Sequence, residues 1–538
     1  MDSQSQNSPI KHYIPYLLLA IMVGIIIGIA VAPKTHPFYW KQDLGSSLEY
    51  RVQQVLRLVE TQYVDNKDAD TLTDHVINSI LTSLDPHSHY LSANELKRQS
   101  EDIQGHFEGI GAILTIKDDT VCVNQILPDS PAEKAGLRAG DRIIAVDTSA
   151  TIGENLVLPD IVKKVRGPRF SHVTLTVKRH YAKGNYKIKV VRNRITTPSI
   201  NYYGMIDNSI GYIHLSSFTG TSYPEFHEAI LKLKKQGMKE LVFDLRDNAG
   251  GLLDAAIMIA DELLPNGNVI LFTEGAHQRR EVIRASAGGL FEEGKVTILI
   301  NEFSASASEI VSGAIQDNDR GTIVGRRSFG KGLVQRQFDL PGDAAVWLTV
   351  ARYHTPSGRC IQRPYDKGSD EYYSQFLEEL IANAEADSLL YEVTDSTQYH
   401  TKKGRIIYGG GGITPDHILP YKKDPDNVYY NQLNNKGIVS DYAFSYISDN
   451  IESLKQQYPT LESFAKGFTV NDRMLETIRS NGEKKGVIAD AKATNSYNKL
   501  KTLLKAYIAE SLYGWEGFYK IYITIDNDLQ STLNFIKK

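Results

Sequence analysis

The chain has 538 residues, of which 41% are hydrophobic, and a formal net charge of −4. This length predicts several domains, and the charge, without a basic stripe interleaved with aromatic residues, argues against nucleic acid as a partner. The only two cysteines, Cys122 and Cys360, cannot build a disulfide framework or a zinc site. The fourteen histidines show no metal-ligand spacing, so we predict no metal.

An uncharged apolar run from Tyr13 to Ala32 begins the series of predicted elements. Its length suffices to span a bilayer and exceeds the apolar region of a typical signal peptide. The run ends in Ala-Val-Ala, which is similar to a cleavage site, but its length favours an uncleaved signal anchor. We therefore predict a cytoplasmic tail over 1–12 and one transmembrane helix over 13–32.

Residues 33–104 are predicted to form an N-terminal helical region. Val52, Val55, Leu56 and Val59 recur at the spacing of one helix face, and a second stretch of similar pattern follows. The region ends in a turn sequence, Leu84-Asp-Pro-His-Ser-His-Tyr-Leu91.

Residues 105–182 contain strand-like runs on either side of a short helix that begins near Pro131. This pattern resembles PDZ domains. The resemblance implies that a peptide C-terminus adds a strand to an exposed edge, while backbone N–H groups hold its carboxylate. The candidate carboxylate loop is Gly109-Ile110-Gly111-Ala112, for which a plain glycine turn is the alternative. A helix over Leu158 to Val165 would line the groove.

Residues 183–420 alternate strand-like and helix-like segments, which predicts an α/β core. The run Ile210–Leu215 leads to a helix near 222–236, then to an apolar strand that ends at Asp244. Near the end of the core, the polar stretch 366–403 is predicted to be an insertion or a flexible excursion.

A cluster of serines, Ser304-Ala-Ser306-Ala-Ser308, precedes a helical pattern that starts at Glu309. Ser306 lies where this helix begins, and backbone N–H groups at that end lack partners within the helix and can stabilise negative charge. The alternative is structural, because Ser306-x-x-Glu309 is also a capping box. Spacing alone does not select one of the three serines.

Lys331 follows in the sequence Ser328-Phe329-Gly330-Lys331-Gly332. A neutral lysine can remove the proton of a serine hydroxyl, and burial would lower its pKa because desolvation disfavours the ammonium form. The same segment begins like a phosphate-binding loop, but Gly332 stands where a serine or threonine should hold magnesium. We therefore predict neither a nucleotide nor another cofactor.

The attacked carbonyl oxygen needs hydrogen-bond donors. The N–H of Ala307 is one candidate, and the loop that holds Gly250 and Gly251 is the other, since glycine lets backbone N–H groups approach a ligand closely. An ordinary strand-to-helix turn is the alternative for the two glycines.

Three motifs together resemble the tail-specific, or C-terminal processing, serine peptidases of bacteria. The resemblance implies that Ser306 is the nucleophile, that Lys331 is the general base and that Gln335 orients the lysine, from the same face of a strand. It also implies a crotonase-like α/β peptidase core with an inserted PDZ domain, and a packing role for the turn 84–91. The motifs are Ser304–Glu309, Phe329–Gln335 and Asp244–Gly251.

Residues 421–538 are rich in Asn, Lys and Tyr and contain helical runs near 443–457 and 497–512. They resemble an extra helical domain of some members of the same family. This helical C-terminal extension would cap the core, support a homo-oligomer or bind an adaptor protein, and the sequence does not choose among these.

The sequence thus predicts a single-pass inner-membrane serine endopeptidase whose catalytic domain lies in the periplasm, a location that the family resemblance supplies. Its substrates would be proteins and peptides with exposed apolar C-termini. Two alternatives stay open at this point. One is a PDZ scaffold with an inactive peptidase core, and the other is an acyl-CoA-binding enzyme of crotonase-like fold.

Overall fold

The computed structural model describes residues 48–66, 68–179, 184–385, 397–421, 427–490 and 492–538. The chain divides into two compact units, Met1–Ser79 and Ile80–Lys538. The predicted tail 1–12 and anchor 13–32 lie outside the described residues. Within the ranges given above, no helix combines the length and apolar character that a membrane span requires.

The described elements, numbered in chain order, comprise fifteen α-helices, one 3₁₀ helix and twenty-one strands. The helices are α1 Leu48–Gln62, α2 Ala69–Thr82, α3 Ala93–Gln104, α4 Pro131–Lys134, α5 Leu158–Val165, α6 Ser222–Lys235, α7 Leu253–Leu263, α8 Ala307–Asp317, α9 Ser369–Glu385, α10 Val428–Asn435, α11 Ile438–Gln457, α12 Leu461–Gly467, α13 Asp472–Lys484, the 3₁₀ helix Ala493–Ser496, α14 Tyr497–Tyr522 and α15 Asn527–Ile536. The strands are β1 His89–Leu91, β2 His106–Gly109, β3 Ala112–Lys117, β4 Thr120–Ile126, β5 Arg142–Val146, β6 Ser149–Ala150, β7 His172–Lys178, β8 Asn185–Val191, β9 Asn193–Thr196, β10 Ile200–Met205, β11 Ile210–Leu215, β12 Glu240–Asp244, β13 Val269–Gly275, β14 Gln278–Arg284, β15 Lys295–Ile300, β16 Thr322–Gly325, β17 Leu333–Leu340, β18 Ala344–His354, β19 Gln398–His400, β20 Ile406–Tyr408 and β21 His417–Ile418.

The central sheet of the core has six strands in the order β10–β11–β12–β15–β16–β21. Strand β10 runs antiparallel to β11, and every other neighbouring pair is parallel. All six residues of β11 are buried, as expected for a strand of a parallel sheet that is covered on both faces. The alternation of strands and helices therefore produces the predicted α/β core.

The two faces of this sheet are covered by different parts of the chain. Ile213 and Phe243 belong to a large apolar core that also contains side chains of α6, α7 and α8. Tyr212 and Val242, one residue earlier along the same strands, belong to a second core with Leu529 of α15. The C-terminal extension therefore completes the packing of the central sheet.

The carboxyl ends of β12 and β15 lie side by side, because Asp244 pairs with Leu299 in parallel register. The loop after β12 contains Gly250, and the loop after β15 contains Ser306. Loops that leave the same edge of a parallel sheet meet there, and such edges are where α/β folds build binding sites.

A second sheet carries Lys331 to this edge. Its strands have the order β1–β18–β13–β14, and β17 also pairs with β18. Lys331 lies just before β17, which begins at Leu333, and the register of β17 shifts between Val334 and Gln335. Lys331 and Gln335 are therefore not two residues of one regular strand, and the predicted shared strand face is wrong.

The module predicted to resemble a PDZ domain contains a sheet of order β3–β4–β5–β7–β8, with β6 paired to β5. Its core packs Val121, Ile143 and Val173 against Ile161 and Val165 of α5. The predicted helix over Leu158–Val165 is thus present, and its apolar side faces the core of the module.

The stretch 366–403 was predicted to be an insertion or a flexible excursion, and the insertion stays a prediction. It contains helix α9 and strand β19, while residues 386–396 lie outside the described part of the chain. Helix α9 buries Tyr372, Phe376 and Asn383, which recur at helical spacing. The expectation of a flexible excursion is wrong for this helix. Only one face of the helix is packed, and the polar residues between its buried positions made the whole stretch look polar in the sequence.

The C-terminal extension is helical, as predicted, and has a core of its own that includes Leu433, Phe464 and Leu504. It also contacts the PDZ-like module, where Lys117 lies 3.0 Å from the Asp441 carboxylate. The extension therefore contacts both the sheet of the core and the module that precedes it.

Candidate active site

Ser306 lies in the sharp turn between β15 and α8. Its backbone has φ 55° and ψ −111°, a conformation that residues other than glycine rarely adopt. Such strain costs about 1–3 kcal/mol and is typically found at functional sites. The N–H of Ser306 donates to Glu309 Oε2 at 2.8 Å, so the capping contact that the sequence offered as an alternative is present. This contact holds the strained turn through the backbone N–H of Ser306, so it does not use the Ser306 hydroxyl.

The other two serines of the cluster have structural roles. Ser304 and Ser308 are fully buried. The Ser304 hydroxyl donates to the carbonyl oxygen of Leu245 at 2.8 Å, and the Ser308 hydroxyl donates to the carbonyl oxygen of Asn248 at 2.8 Å. Ser306 is half-buried, so among the three it is the serine that a substrate could reach.

Gly250 lies directly against the Ser306 turn. A Cβ atom at position 250 would stand 2.8 Å from Ser306 Cβ and 3.0 Å from the nitrogen of Ala307. Its φ of 100° is a second reason for glycine at this position. The predicted loop and the predicted turn are therefore in contact.

The three predicted oxyanion donors differ in their availability. The N–H of Gly250 donates to Asn248 Oδ1 at 2.9 Å, so this donor is already engaged. Among the described residues, no protein acceptor is assigned to the N–H of Ala307 or of Gly251. The N–H groups of Ala307 and Gly251 could therefore donate to an oxyanion, whereas the N–H of Gly250 is already engaged.

Glu309 joins the turn of Ser306 to the backbone of Lys331. Its side chain is fully buried and accepts hydrogen bonds from the N–H of Ser306 at 2.8 Å and of Lys331 at 2.9 Å, both at Oε2. Oε1 accepts the Ser328 hydroxyl and the Gly330 N–H. Burial raises the pKa of Glu309 to about 7, against the opposing effect of these hydrogen bonds.

Sequence reasoning assigned Glu309 only a capping role, and the capping-box spacing itself is the signal that could have identified it. Tyr353 makes a second link between the same two backbones. Its hydroxyl lies 2.8 Å from the carbonyl oxygen of Lys331 and 3.3 Å from that of Ser306. Two buried side chains therefore fix the backbones of Ser306 and Lys331 relative to each other.

The side chain of Lys331 lines a cavity of about 630 Å³. Burial lowers the pKa of Lys331, although the charges of Glu309 and Asp85 act in the opposite direction. The amine is thereby shifted toward the neutral form that a general base requires. The other residues that line the cavity are His87, Asp247, Ala249, Phe303, Ala305, Phe329, Tyr373 and Phe376.

Gln335 does not make the contact that was predicted for it. Its Nε2 donates to Thr349 Oγ1 at 3.3 Å, and Thr349 Oγ1 is 3.3 Å from the Ser88 hydroxyl. Ser88 in turn donates to Asp85 at 2.6 Å. A chain of hydrogen bonds thus runs from Gln335 to a carboxylate whose charge acts on Lys331. An effect of Gln335 on the lysine through this chain stays a prediction.

The turn 84–91, to which only a packing role was assigned, contributes to the cavity. Asp85 Oδ1 accepts the N–H groups of His87 and Ser88, each at 2.8 Å. Burial, followed by the charge of Lys331, lowers the pKa of His87 to about 4. A neutral imidazole therefore lies in the same cavity as the lysine.

Arg246, in the loop after β12, connects this region to the C-terminal extension. Its side chain is 14% exposed, and it contacts Asp244 at 2.6 Å and Asp526 at 2.7 Å. Tyr212 donates its hydroxyl to Asp244 at 2.7 Å. The sequence did not show this network, because Asp526 lies far along the chain.

The predicted carboxylate loop Gly109-Ile110-Gly111-Ala112 lies in the PDZ-like module, between β2 and β3. Gly111 has φ 77°, and a Cβ atom there would stand 2.4 Å from Ser130 Cβ. Within the described residues, β3 pairs only with β4, so it is an edge strand of its sheet. This is the kind of edge to which a peptide can add a strand.

Three segments of the chain match models of known families. Residues 209–367 match peptidase family S41, residues 122–179 match a PDZ domain and residues 429–514 match a family of unknown function. The first two matches fall on the α/β core and on the module that contains β3 and α5.

Two curated proteins are similar to most of this chain. A "Carboxy-terminal-processing protease" of Bartonella bacilliformis is 39% identical over 318 residues, covering 58% of this chain and 72% of that protein. A "Probable CtpA-like serine protease" of Staphylococcus epidermidis is 32% identical over 369 residues, covering 67% of this chain and 74% of that protein.

Similar solved structures include the photosystem II D1 C-terminal processing protease, with 27% identity, coverage of 68% of this chain and 86% of that chain, and a TM-score of 0.35. Another is the PDZ domain of a carboxy-terminal protease from Vibrio cholerae in complex with a peptide. It has 34% identity, covers 17% of this chain and 97% of its own, and has a TM-score of 0.16.

Proposed function

This chain belongs to peptidase family S41, as a C-terminal processing serine peptidase with a PDZ domain, and on that premise we propose that it cleaves polypeptides through an acyl-enzyme formed on Ser306. Lys331 is the general base. The observation that carries the proposal is the shared contact of Glu309, which holds the backbone N–H groups of Ser306 and Lys331 at one carboxylate oxygen.

In the first step, neutral Lys331 accepts the hydroxyl proton of Ser306 while the serine oxygen attacks the substrate carbonyl carbon. The carbonyl π electrons move to the oxygen, which becomes an oxyanion. The N–H groups of Ala307 and Gly251 are the proposed donors to it, because they have no assigned protein acceptor among the described residues.

In the second step, the tetrahedral intermediate collapses and the peptide C–N bond breaks. Lys331, now an ammonium, returns the proton to the leaving amine, and the acyl group stays on Ser306. A water molecule then takes the position of the leaving amine. Lys331 removes one of its protons as water attacks the ester carbonyl, and this proton passes to the Ser306 oxygen when the C–O bond to serine breaks. The product leaves as a carboxylic acid, which loses its proton to solvent.

Substrate selection is proposed to begin at the PDZ domain, a module that binds peptide C-termini. The edge of β3 would pair with the last residues of the substrate, and the loop Gly109–Ala112 would hold the terminal carboxylate. A substrate must reach Ser306 as an extended strand, so proteins with exposed apolar tails and little stable structure are the expected class.

The location of the enzyme is also a proposal, and it depends on the sequence. The apolar run 13–32 would anchor the chain in the inner membrane, with the peptidase on the periplasmic side. A reporter of topology fused after residue 34, compared with one fused before residue 13, tests this orientation. Activity of both reporters on the cytoplasmic side would contradict it.

Cleavage of an unstructured polypeptide with an apolar C-terminus tests the chemistry in the full chain. We expect Ser306→Ala and Lys331→Ala each to lower kcat/KM by at least about a thousandfold. Ser312→Ala is the matched control, because Ser312 is a buried serine of the same helix whose hydroxyl donates to the carbonyl oxygen of Ser308. If either active-site variant cuts as fast as this control, the proposed mechanism is wrong.

Tail recognition is tested by converting the substrate C-terminus to an amide and by Gly111→Ala. Both should raise KM, and the amide should have little further effect on the variant. Gly136→Ala is the matched control, since Gly136 has a similar φ of 82° in the same domain and nothing within 4 Å of an added Cβ. If the wild-type enzyme cleaved the amide and the free acid equally well, recognition of the substrate C-terminus would be excluded.

A further inference from the structure

Helix α9 lies beyond the segment that matches the peptidase family model, which ends at residue 367. The helix nevertheless packs on the catalytic segment through aromatic side chains. The ring of Phe376 makes an edge contact with Phe329 at 4.9 Å and with Phe303 at 6.1 Å. Tyr372 contacts Phe329 at 5.9 Å and the ring of His87 at 5.5 Å.

Charged contacts fix α9 in this position. Glu379 accepts a hydrogen bond from Arg363 at 2.8 Å and also binds Arg327. The Arg363 guanidinium lies 5.2 Å from the centre of the Phe376 ring. Both arginines are buried, so the helix is held by ion pairs that are largely removed from solvent.

The side chains of α9 form one wall of the cavity that contains Lys331. Tyr373 and Phe376 line it together with Phe303 and Phe329. The same cavity is lined by Ala249 and Ala305, the residues that precede Gly250 and Ser306 along the chain. A side chain in this cavity would therefore lie directly beside the bond under attack.

We propose that α9 is a specificity-determining element, which selects an apolar side chain at the substrate residue whose carbonyl is attacked. Phe376 sets the depth of the cavity and Tyr373 sets its mouth. The aromatic lining favours apolar side chains because it offers them dispersion contacts. The carboxylate of Asp247, which also lines the cavity, already accepts a hydrogen bond from Asn301 Nδ2 at 2.8 Å. The inference rests on the proposed function, since the cavity can select the residue whose carbonyl is attacked only if Ser306 is the nucleophile.

The test uses the full chain and polypeptides that differ only in the residue before the cleaved bond, with alanine, leucine, tryptophan or lysine there. Wild type should prefer leucine or alanine to lysine. Phe376→Ala should raise the tryptophan-to-alanine ratio of kcat/KM by about tenfold or more, because each methylene of fit changes discrimination by about 10- to 200-fold. Mass spectrometry of the products identifies the cleaved bond.

Two further variants keep the test decisive. Tyr373→Ala also alters the cavity, and Tyr373 is 44% exposed, so its loss should not prevent folding. If Phe376→Ala does not fold, the same ratio is measured in Tyr373→Ala. Leu377→Ala is the control, since Leu377 is 57% exposed on the same helix and does not line the cavity. It should leave the ratio unchanged.

An unchanged ratio in folded Phe376→Ala and Tyr373→Ala would overturn the inference. Cleavage that moves to the bond before the varied residue, seen by mass spectrometry, would also overturn it, because the cavity would then bind the residue on the leaving side. Failure of the proposed function is separate from either outcome. It would appear as unaltered cleavage by Ser306→Ala, whatever the substrate residue.

Discussion

Glu309 accepts the backbone N–H of Lys331 at 2.9 Å. The same carboxylate oxygen accepts the N–H of Ser306, so one buried side chain fixes the position of the proposed base relative to the proposed nucleophile. The carboxylate accepts three main-chain N–H groups and the Ser328 hydroxyl, while its charge acts on the lysine side chain.

Glu309→Gln should therefore change both the rate and its pH dependence. An amide has one acceptor oxygen, so some of the four donors lose their partner, at a cost of about 1–3 kcal/mol each. We expect kcat/KM to fall by about tenfold to a hundredfold. Above about pH 7, where Glu309 is ionised, its negative charge raises the pKa of Lys331. Without that charge the lysine becomes neutral at lower pH, so an acid limb of kcat/KM in this range moves to lower pH.

The matched control for this prediction is Glu262→Gln. Glu262 is a buried carboxylate of α7 that binds His227 at 2.7 Å and Tyr223 at 3.0 Å. This variant should change stability without moving the acid limb. A Glu309→Gln acid limb that stays in place, or that moves to higher pH, would contradict the assigned electrostatic effect.

Gly250→Ala should inactivate the enzyme because its Cβ would collide with the Ser306 turn. Gly267→Ala separates this collision from backbone strain, since Gly267 has φ 81° and open space around an added Cβ. Both variants should lose about 1–2 kcal/mol of stability from the positive φ. Only Gly250→Ala should lose at least about a hundredfold in kcat/KM. Equal activity of the two variants would exclude a contact-dependent role for Gly250.

His87→Gln should make the fold less sensitive to acid. The pKa of His87 falls from 6.5 to about 4 on folding, so between these values the unfolded chain binds a proton that the folded chain does not. Stability is therefore lost as pH falls from 6.5 to about 4, by at most about 3 kcal/mol. Melting temperatures at pH 7 and 4.5 should converge in His87→Gln. The control is His172→Gln, because His172 is exposed, and it should show the same difference in melting temperature as wild type. If His87→Gln also showed that difference, the imidazole of His87 would not be buried as a neutral ring.

Asp526→Asn should weaken the connection between the C-terminal extension and the loop after β12. Loss of one partner of a buried ion pair typically costs about 3–5 kcal/mol, and we expect less here because Arg246 keeps Asp244. Asparagine retains the capping of α15 that Asp526 provides. The control is Asp472→Asn, because Asp472 also forms an ion pair, with Lys501, but its side chain is almost fully exposed. Equal melting temperatures of the two variants would show that the Arg246 network contributes no stability.

Motifs and periodicity identified much of this protein from its sequence. Strand β11 appears as a mostly apolar run that only Gly211 and His214 interrupt, and α5 has a clear apolar spacing, so both were predictable. The family followed from three motifs, and the comparisons confirm it. These features are local, and local patterns are what a single sequence records.

The missed features depend on tertiary contacts. A register shift in β17 turns Gln335 toward Thr349, and no sequence pattern marks such a shift. An Asn248 side chain occupies the N–H of Gly250, so the two adjacent glycines differ in a way that their sequence does not reveal. The importance of His87 becomes visible only when the turn 84–91 is placed beside Lys331.

The covering of Tyr212 and Val242 by Leu529 and Leu533 has a consequence for biosynthesis. Strands β11 and β12 emerge from the ribosome hundreds of residues before α15, so one side of their sheet stays exposed to water until α15 has been synthesised. We therefore expect the peptidase core to finish folding only after α15 has emerged, which would delay proteolysis by the nascent chain until then.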